Sequence, residues 1–120
     1  MDICQAARVR PNAVVRAAAQ PLDLEPVPGD QSIQGSPSTA TVALGAFSGL
    51  EVGVWEMTTG VMRDVENDEV FVVLSGSATV EFADGTAPLV LSASDVVRLA
   101  AGTETVWTVT QTLRKVYLVA

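Results

Sequence analysis

The chain is 120 residues long, 48% apolar, and carries a formal net charge of −7 from fourteen acidic and seven basic residues. That length accommodates one domain with a single core, and the apolar fraction excludes disorder of the whole chain. The acidic balance argues against nucleic-acid binding, and no apolar run approaches the roughly 20 residues that cross a membrane, so small molecules or other proteins are the expected partners.

Residues 1–40 form the first segment, which we expect to be an N-terminal arm. Five of the six prolines lie here, and proline both fixes φ and removes a backbone donor. The composition therefore predicts an extended arm with short edge strands around residues 14–16 and 32–33. A short helix over residues 12–19 is the alternative, favoured by three consecutive alanines.

The single cysteine, Cys4, lies in this arm, and the chain contains no histidine. One cysteine cannot form an intramolecular disulfide, and no imidazole is available to activate its thiol. We interpret Cys4 as an inert thiol. No secretory signal is recognisable near the N-terminus, so the cytoplasm is the expected location.

From residue 41 onward, short apolar runs alternate with glycines and polar turns, which is typical of antiparallel sheets. Strands are predicted at residues 41–47, 51–57, 70–74, 78–82, 88–91, 96–99, 105–110 and 113–119. Asp84 and Gly85 predict a two-residue type I′ hairpin, because that turn needs positive φ at both central residues. Ser75 and Gly76 predict a second tight corner. Residues 41–120 are therefore expected to form one all-β sandwich or barrel.

Particular residues of this segment resemble a known family. They lie at positions 53–56, 59–60, 68–71, 74–76, 84–85, 94–95, 101–102, 106–107 and 113–117. Together they resemble the small single-domain cupins, in the branch that groups (S)-ureidoglycine aminohydrolase-like domains with an ethanolamine-utilisation cupin. The resemblance implies a cupin fold, which is a double-stranded β-helix or jelly-roll barrel, preceded by the extended N-terminal arm.

The resemblance also shows which metal ligands are missing. Cupins usually hold a transition metal with inward-pointing histidines and a glutamate. In the first cupin motif Glu69 and Gly76 match the glutamate and the glycine, whereas Arg63 and Val65 stand at the histidine positions. Thr105 stands at the histidine position of the second motif. Because one carboxylate cannot hold a transition metal against water, we expect no metal and no other cofactor.

Three acidic residues alternate just before Glu69, namely Asp64, Glu66 and Asp68. Their spacing resembles the opening of a calcium loop, but the glycine and the final glutamate of such a loop are missing. We interpret these residues as a solvated acidic turn.

The family counterpart of Glu69 points into the barrel, and the two-residue period of a strand then turns Phe71 and Val73 inward as well. The same period places Thr105 and Trp107 together, facing the same cavity. The candidate ligand-binding residues are Arg63, Glu69, Thr105 and Trp107, with Trp55 and Glu56 on a neighbouring strand of undetermined facing. Arg63 and Glu69 either orient a polar ligand jointly or form a structural ion pair. Each tryptophan is either a ligand wall or core packing.

The opposite face of the same strand carries Val70, Val72 and Leu74. An apolar face on the outside of a barrel is normally covered, which favours a homodimer. Three basic residues outside the candidate site are assigned to the surface or the interface, namely Arg98, Arg114 and Lys115.

Three functional hypotheses follow. The first is a metal-free cupin-domain protein that binds a small polar or carboxylate-bearing metabolite in the barrel. The second is a hydrolase-like cupin enzyme in which Glu69 acts as general acid or base. The third is a structural dimerising module with a vestigial pocket. Whether the chain catalyses a reaction stays open at this point.

Overall fold

The computed structural model describes residues 8–120, which form nine strands joined in antiparallel pairs. The strands are β1 (Glu25–Pro26), β2 (Ser32–Gln34), β3 (Ser38–Phe47), β4 (Leu50–Met57), β5 (Gly60–Val65), β6 (Glu69–Phe82), β7 (Leu89–Leu91), β8 (Val96–Leu99) and β9 (Glu104–Val119). The predicted all-β fold is confirmed. No helix in the described part of the chain is long and apolar enough to cross a membrane. Cys4 lies outside the described residues.

Two long strands, β6 and β9, hold the barrel together. β9 pairs with β6 on one side; on its other side it pairs first with β5, over residues 104–109, and then with β4, over residues 113–119. The sequence predicted each of these strands as two short ones, with a tight corner at Ser75 and Gly76 within β6, and that prediction is wrong. The register instead shifts between residues 73 and 78, and Gly76 has a positive φ of 91°. A bulge bends the paired strands without interrupting them.

The sequence analysis missed β5, a strand of six residues. It contains no apolar run, since Arg63 and Asp64 occupy its centre, yet it pairs with β9 along its whole length. The turn at Asp84 and Gly85 also differs from the prediction. Of these two residues only Gly85 has positive φ, so the turn is not type I′, and a longer loop connects the paired residues of β6 and β7.

The arm carries β1, which pairs with β3, and β2, which pairs with β5. The edge strand predicted at residues 32–33 is therefore confirmed, whereas residues 14–16 form no strand. The predicted helix alternative is reduced to the single 3-10 turn Ala17–Ala19.

One arginine of β9 fastens this turn to the barrel. Arg114 Nη1 donates to the carbonyl oxygens of Ala17, Ala18 and Gln20 at 2.9, 3.2 and 2.8 Å, and its Nε donates to Glu56 Oε1 at 2.8 Å. The assignment of Arg114 to an exposed surface is therefore wrong. Its side chain is 12% exposed and links the arm to β4 and β9.

The barrel interior is filled by alternate side chains of the long strands. Phe71, Val73, Trp107 and Val109 are each at most 3% exposed, which confirms the predicted facing of β6 and of the first half of β9. Leu113 continues this inward face after the bulge. The apolar filling is complete in the middle of the barrel, and the polar side chains collect at one end.

Candidate functional site

A cavity of about 260 Å³ lies where the connection between β5 and β6 meets β4 and β9. The lining residues are Thr41, Glu51, Trp55, Asp64, Val65, Glu66, Asn67, Glu69, Trp107, Lys115, Tyr117 and Val119. A concave space with converging charged and aromatic side chains is the form that small-molecule sites take.

A lysine occupies the centre of this site. Lys115 Nζ donates to Glu69 Oε1 at 3.0 Å. The same nitrogen lies 4.6, 4.1 and 4.9 Å from the ring centroids of Trp55, Phe71 and Trp107. The carboxylate and the negative ring faces both attract a cation, so these contacts hold the side chain in the site. The assignment of Lys115 to the surface or interface is wrong, because the residue is only 5% exposed.

Glu66 is the second feature that the sequence analysis missed. It is 7% exposed, and its Oε2 accepts hydrogen bonds from Thr105 Oγ1 at 2.6 Å and from Trp107 Nε1 at 2.9 Å. These bonds fix both the carboxylate and the indole. The interpretation of this residue as part of a solvated turn is wrong, and the alternation of Met62, Asp64 and Glu66 was the signal that could have revealed it.

Asp64 lies next to Glu66 at the mouth of the cavity. Burial, followed by the charge of Glu66, raises the pKa of Asp64 from 3.8 to about 6, while the Val65 N–H and the Lys115 ammonium act in the opposite direction. Removing a carboxylate from water and placing a like charge beside it both disfavour ionisation. A proton on this side chain is therefore exchanged close to neutral pH.

Tyr117 and Glu51 form the opposite wall. The tyrosine hydroxyl donates to Glu51 Oε2 at 2.8 Å, and burial raises the pKa of Tyr117 above its usual range. Gly53 lies across from it on β4, where any Cβ would overlap the phenol ring. A glycine at this position therefore makes room for Tyr117 inside the barrel.

The structure brings together only part of the predicted site. Glu69, Trp55 and Trp107 line the cavity, and Thr105 is buried behind it, bonded to Glu66. Arg63 and Glu56 lie elsewhere. Arg63 is exposed and donates to the Asp30 carbonyl oxygen at 2.6 Å, beside a separate and larger depression of about 550 Å³. Glu56 pairs with Arg114.

Arg63 therefore neither forms an ion pair with Glu69 nor shares a cavity with it, and both interpretations of Arg63 given above are wrong. On β5 the inward positions are Met62 and Asp64, one residue away from Arg63 and Val65. A shift of one residue moves a side chain to the other face of a sheet. Lys115 supplies the positive charge that was expected from Arg63.

The donor set does not fit a transition metal. Within residues 8–120 no three side chains of the Asp, Glu, His and Cys types converge as a metal ligand set. Glu69, which matches the glutamate of the family motif, is engaged by the Lys115 ammonium. A metal would have to displace this ammonium and would then find only carboxylate oxygens, which suit hard cations rather than transition metals.

Solved structures with the same fold include several cupins. EutQ from Clostridium difficile is 19% identical, with a TM-score of 0.60 over 79% of this chain and 79% of that chain. A putative ethanolamine utilization protein Q from Salmonella typhimurium is 15% identical, with a TM-score of 0.58 over 82% and 94%. These two likenesses show the fold alone. A DUF861-family protein of unknown function from Pseudomonas syringae pv. tomato is 25% identical, with a TM-score of 0.70 over 85% of this chain and 45% of that chain.

A comparison with curated proteins gives no match. The family model described as the EutQ-like cupin domain matches residues 44–117, which is more than half of the chain. The resemblance to small cupins that the sequence motifs indicated is thereby confirmed, and the chain belongs to the EutQ-like cupin family.

Proposed function

We propose that this chain is a metal-free cupin that binds a small polar metabolite in the cavity around Glu69. The observation that supports this most is the Lys115 ammonium, held by Glu69 and enclosed by three aromatic rings. It satisfies Glu69 without a metal and leaves an open, charged cavity beside it. We further propose a cytoplasmic location, since the single cysteine rules out an intramolecular disulfide.

Contacts within the protein hold the aromatic side chains of the site in place. Trp107 is 1% exposed and is bonded to Glu66, and its ring lies 5.5 Å from that of Trp55 at an angle of 55°. Side chains that are already fixed lose little entropy when a ligand binds. A binding role therefore accounts for a polar network at this end of the barrel better than a vestigial pocket does.

A hydrolase-like activity is the second candidate, and it is favoured by Asp64 rather than by Glu69. A general acid or base works best when its pKa lies near the operating pH, and the pKa of Asp64 is about 6. Glu69 is instead committed to Lys115. If the chain is an enzyme, we propose Asp64 as the group that transfers the proton.

A thermal-shift screen of small amides, ureides, amino acids, amines and carboxylates tests the binding proposal. A ligand at a hundredfold its dissociation constant stabilises the folded state by about 2.7 kcal/mol, which raises the melting temperature by several degrees. Glu69→Gln should abolish this shift while preserving the fold, because an amide keeps the size and one acceptor oxygen. Asp68→Asn is the matched control, since Asp68 pairs with exposed Arg98. A screen without any hit would support the structural module instead.

We also propose that the chain forms a homodimer through the outer face of β6, β8 and β9. Val70 lies between Leu118 and Arg98, and Val72 lies between Val116 and Val96. Val70 is 36% and Val96 is 69% exposed in the single chain, so this face presents apolar surface to water. Apolar patches of this kind mark protein interfaces.

Light scattering after gel filtration tests the dimer. Val96→Asp should reduce the measured mass from two chains to one, because a carboxylate would be buried without a partner. Val14→Asp changes a residue of similar exposure on the arm, and we expect it to leave the mass unchanged. A monomeric wild-type chain at micromolar concentration would contradict the proposal.

A further inference from the structure

The side chains that line the cavity include more acidic than basic groups. Four carboxylates line it, those of Glu51, Asp64, Glu66 and Glu69, and Lys115 is the one basic side chain among its lining residues. When all of these groups are ionised, three negative charges are left without a compensating cation. We infer that the ligand of this cavity is a small organic cation, with an ammonium or amidinium group that the neighbouring carboxylates of Asp64 and Glu66 bind. The inference rests on the proposed binding function and names its ligand class.

The hydrogen-bonding capacity of the cavity points the same way. Three of these glutamates each use one oxygen as a hydrogen-bond acceptor. Glu66 accepts from Trp107 and Thr105, Glu69 accepts from Lys115, and Glu51 accepts from Tyr117. Their second oxygens receive no hydrogen bond from residues 8–120, and none of these atoms is sealed from solvent without a partner. Glu66 is nine-tenths buried, so its free oxygen is reached from the cavity. Ionised carboxylates only accept hydrogen bonds, and the ligand must therefore donate them.

Asp64 adds a fourth acceptor at the mouth. Its Oδ1 accepts from the Val65 N–H at 2.8 Å, which leaves Oδ2 free. The charge of Glu66 disfavours ionisation of Asp64, and a cation bound between the two carboxylates would remove that repulsion. An anionic ligand would increase it. The carboxylate-bearing metabolites that the sequence analysis included are therefore disfavoured.

The aromatic walls suit the same ligand class. Trp55 is the half-buried indole of the cavity wall, whereas Trp107 is 1% exposed and stands behind it against the Lys115 ammonium. The negative face of an indole attracts ammonium groups and also packs against a short alkyl chain. A volume of about 260 Å³ limits the ligand to a small molecule.

Three probes of similar size separate the ligand classes, namely propylammonium, propionamide and propionate. Each is titrated into the full chain at pH 7.5 and constant ionic strength, with tryptophan fluorescence and the melting temperature as readouts. We expect propylammonium to bind at least tenfold more tightly than the other two. Tighter binding of propionate or propionamide would overturn the inference and leave the proposed function standing. If neither these probes nor the wider screen binds, the proposed function fails as well.

Two variants test whether the cation binds in this cavity. Glu66→Gln keeps an acceptor for Thr105 and Trp107 but removes the charge, and we expect it to weaken propylammonium binding at least tenfold. Asp64→Asn tests the same charge at a position with one backbone hydrogen bond, and it serves if Glu66→Gln does not fold. Glu104→Gln is the control, because Glu104 is exposed on the outer face. Propylammonium binding that is equal in all four proteins would overturn the inference.

Discussion

Replacement of Lys115 by methionine is expected to lower the free energy of unfolding by about 3–5 kcal/mol, because it leaves a buried carboxylate without its partner. The side chains of Lys115 and Glu69 are 6% and 11% exposed, so most of the surface of this pair is removed from water. Methionine fills much of the space between the three rings. The loss of stability therefore measures the effect of the missing charge rather than the effect of an empty space in the core. Urea unfolding at pH 7.5 measures the difference.

The exposed ion pair of Arg98 with Asp68 provides the matched control. Its side chains are 58% and 50% exposed, and its N–O distance of 3.1 Å is close to that of the buried pair. Arg98→Met should cost much less stability than Lys115→Met, because solvent screens the interaction. Equal losses in the two variants would show that the Lys115 pair is not effectively buried.

The effect of Lys115→Met should also depend on pH. The pKa of Asp64 in the folded chain is about 6, above the usual 3.8. The folded state therefore binds this proton more tightly than the unfolded state does, and it loses stability as the pH rises from 3.8 to about 6. The Lys115 ammonium opposes that shift, and its removal should raise the pKa of Asp64 further. The loss of stability should therefore be smaller at pH 5 than at pH 8. A loss that is independent of pH would contradict this explanation.

Arg114→Ala is expected to release the N-terminal arm and to lower the free energy of unfolding by about 2–4 kcal/mol. The guanidinium donates to three carbonyl oxygens of the arm and to Glu56, and hydrogen bonds of a charged group contribute about 1.5–3 kcal/mol each, with incomplete additivity. Denaturant unfolding measures the loss. Limited proteolysis should show faster cleavage near residues 17–20.

Two further variants test whether the loss of stability comes from the hydrogen bonds between Arg114 and the arm or from the removal of a positive charge. Arg63→Ala removes an exposed guanidinium with a single bond to the Asp30 carbonyl, and its cost should stay below about 1 kcal/mol. Arg114→Lys keeps the charge but loses the fork geometry that serves several acceptors at once, so it should rescue only part of the stability. If Arg114→Ala leaves cleavage of the arm unchanged, this arginine does not fasten it.

Two neighbouring residues on β9 show which features of the site could not be predicted from the sequence. Arg114 and Lys115 are adjacent charges near the end of the chain, and such pairs usually lie on an exposed edge. In the structure the strand alternation turns Lys115 into the cavity and Arg114 towards the arm, and each charge has its own buried or half-buried partner. Neither partner is near in sequence, so no local pattern indicated them.

The sequence by itself determined the all-β class, the family and the inward facing of Glu69, Phe71 and Trp107, because these depend on short-range alternation and on motif residues. The tertiary structure decided which charge meets Glu69. On β5 no apolar run sets the phase of the alternation, and a phase one residue away sends Arg63 outward and Asp64 inward. Lys115 lies 46 residues from Glu69 in the chain. Only the pairing of β6 with β9 brings the two together, and such long-range pairing is not encoded in any single segment.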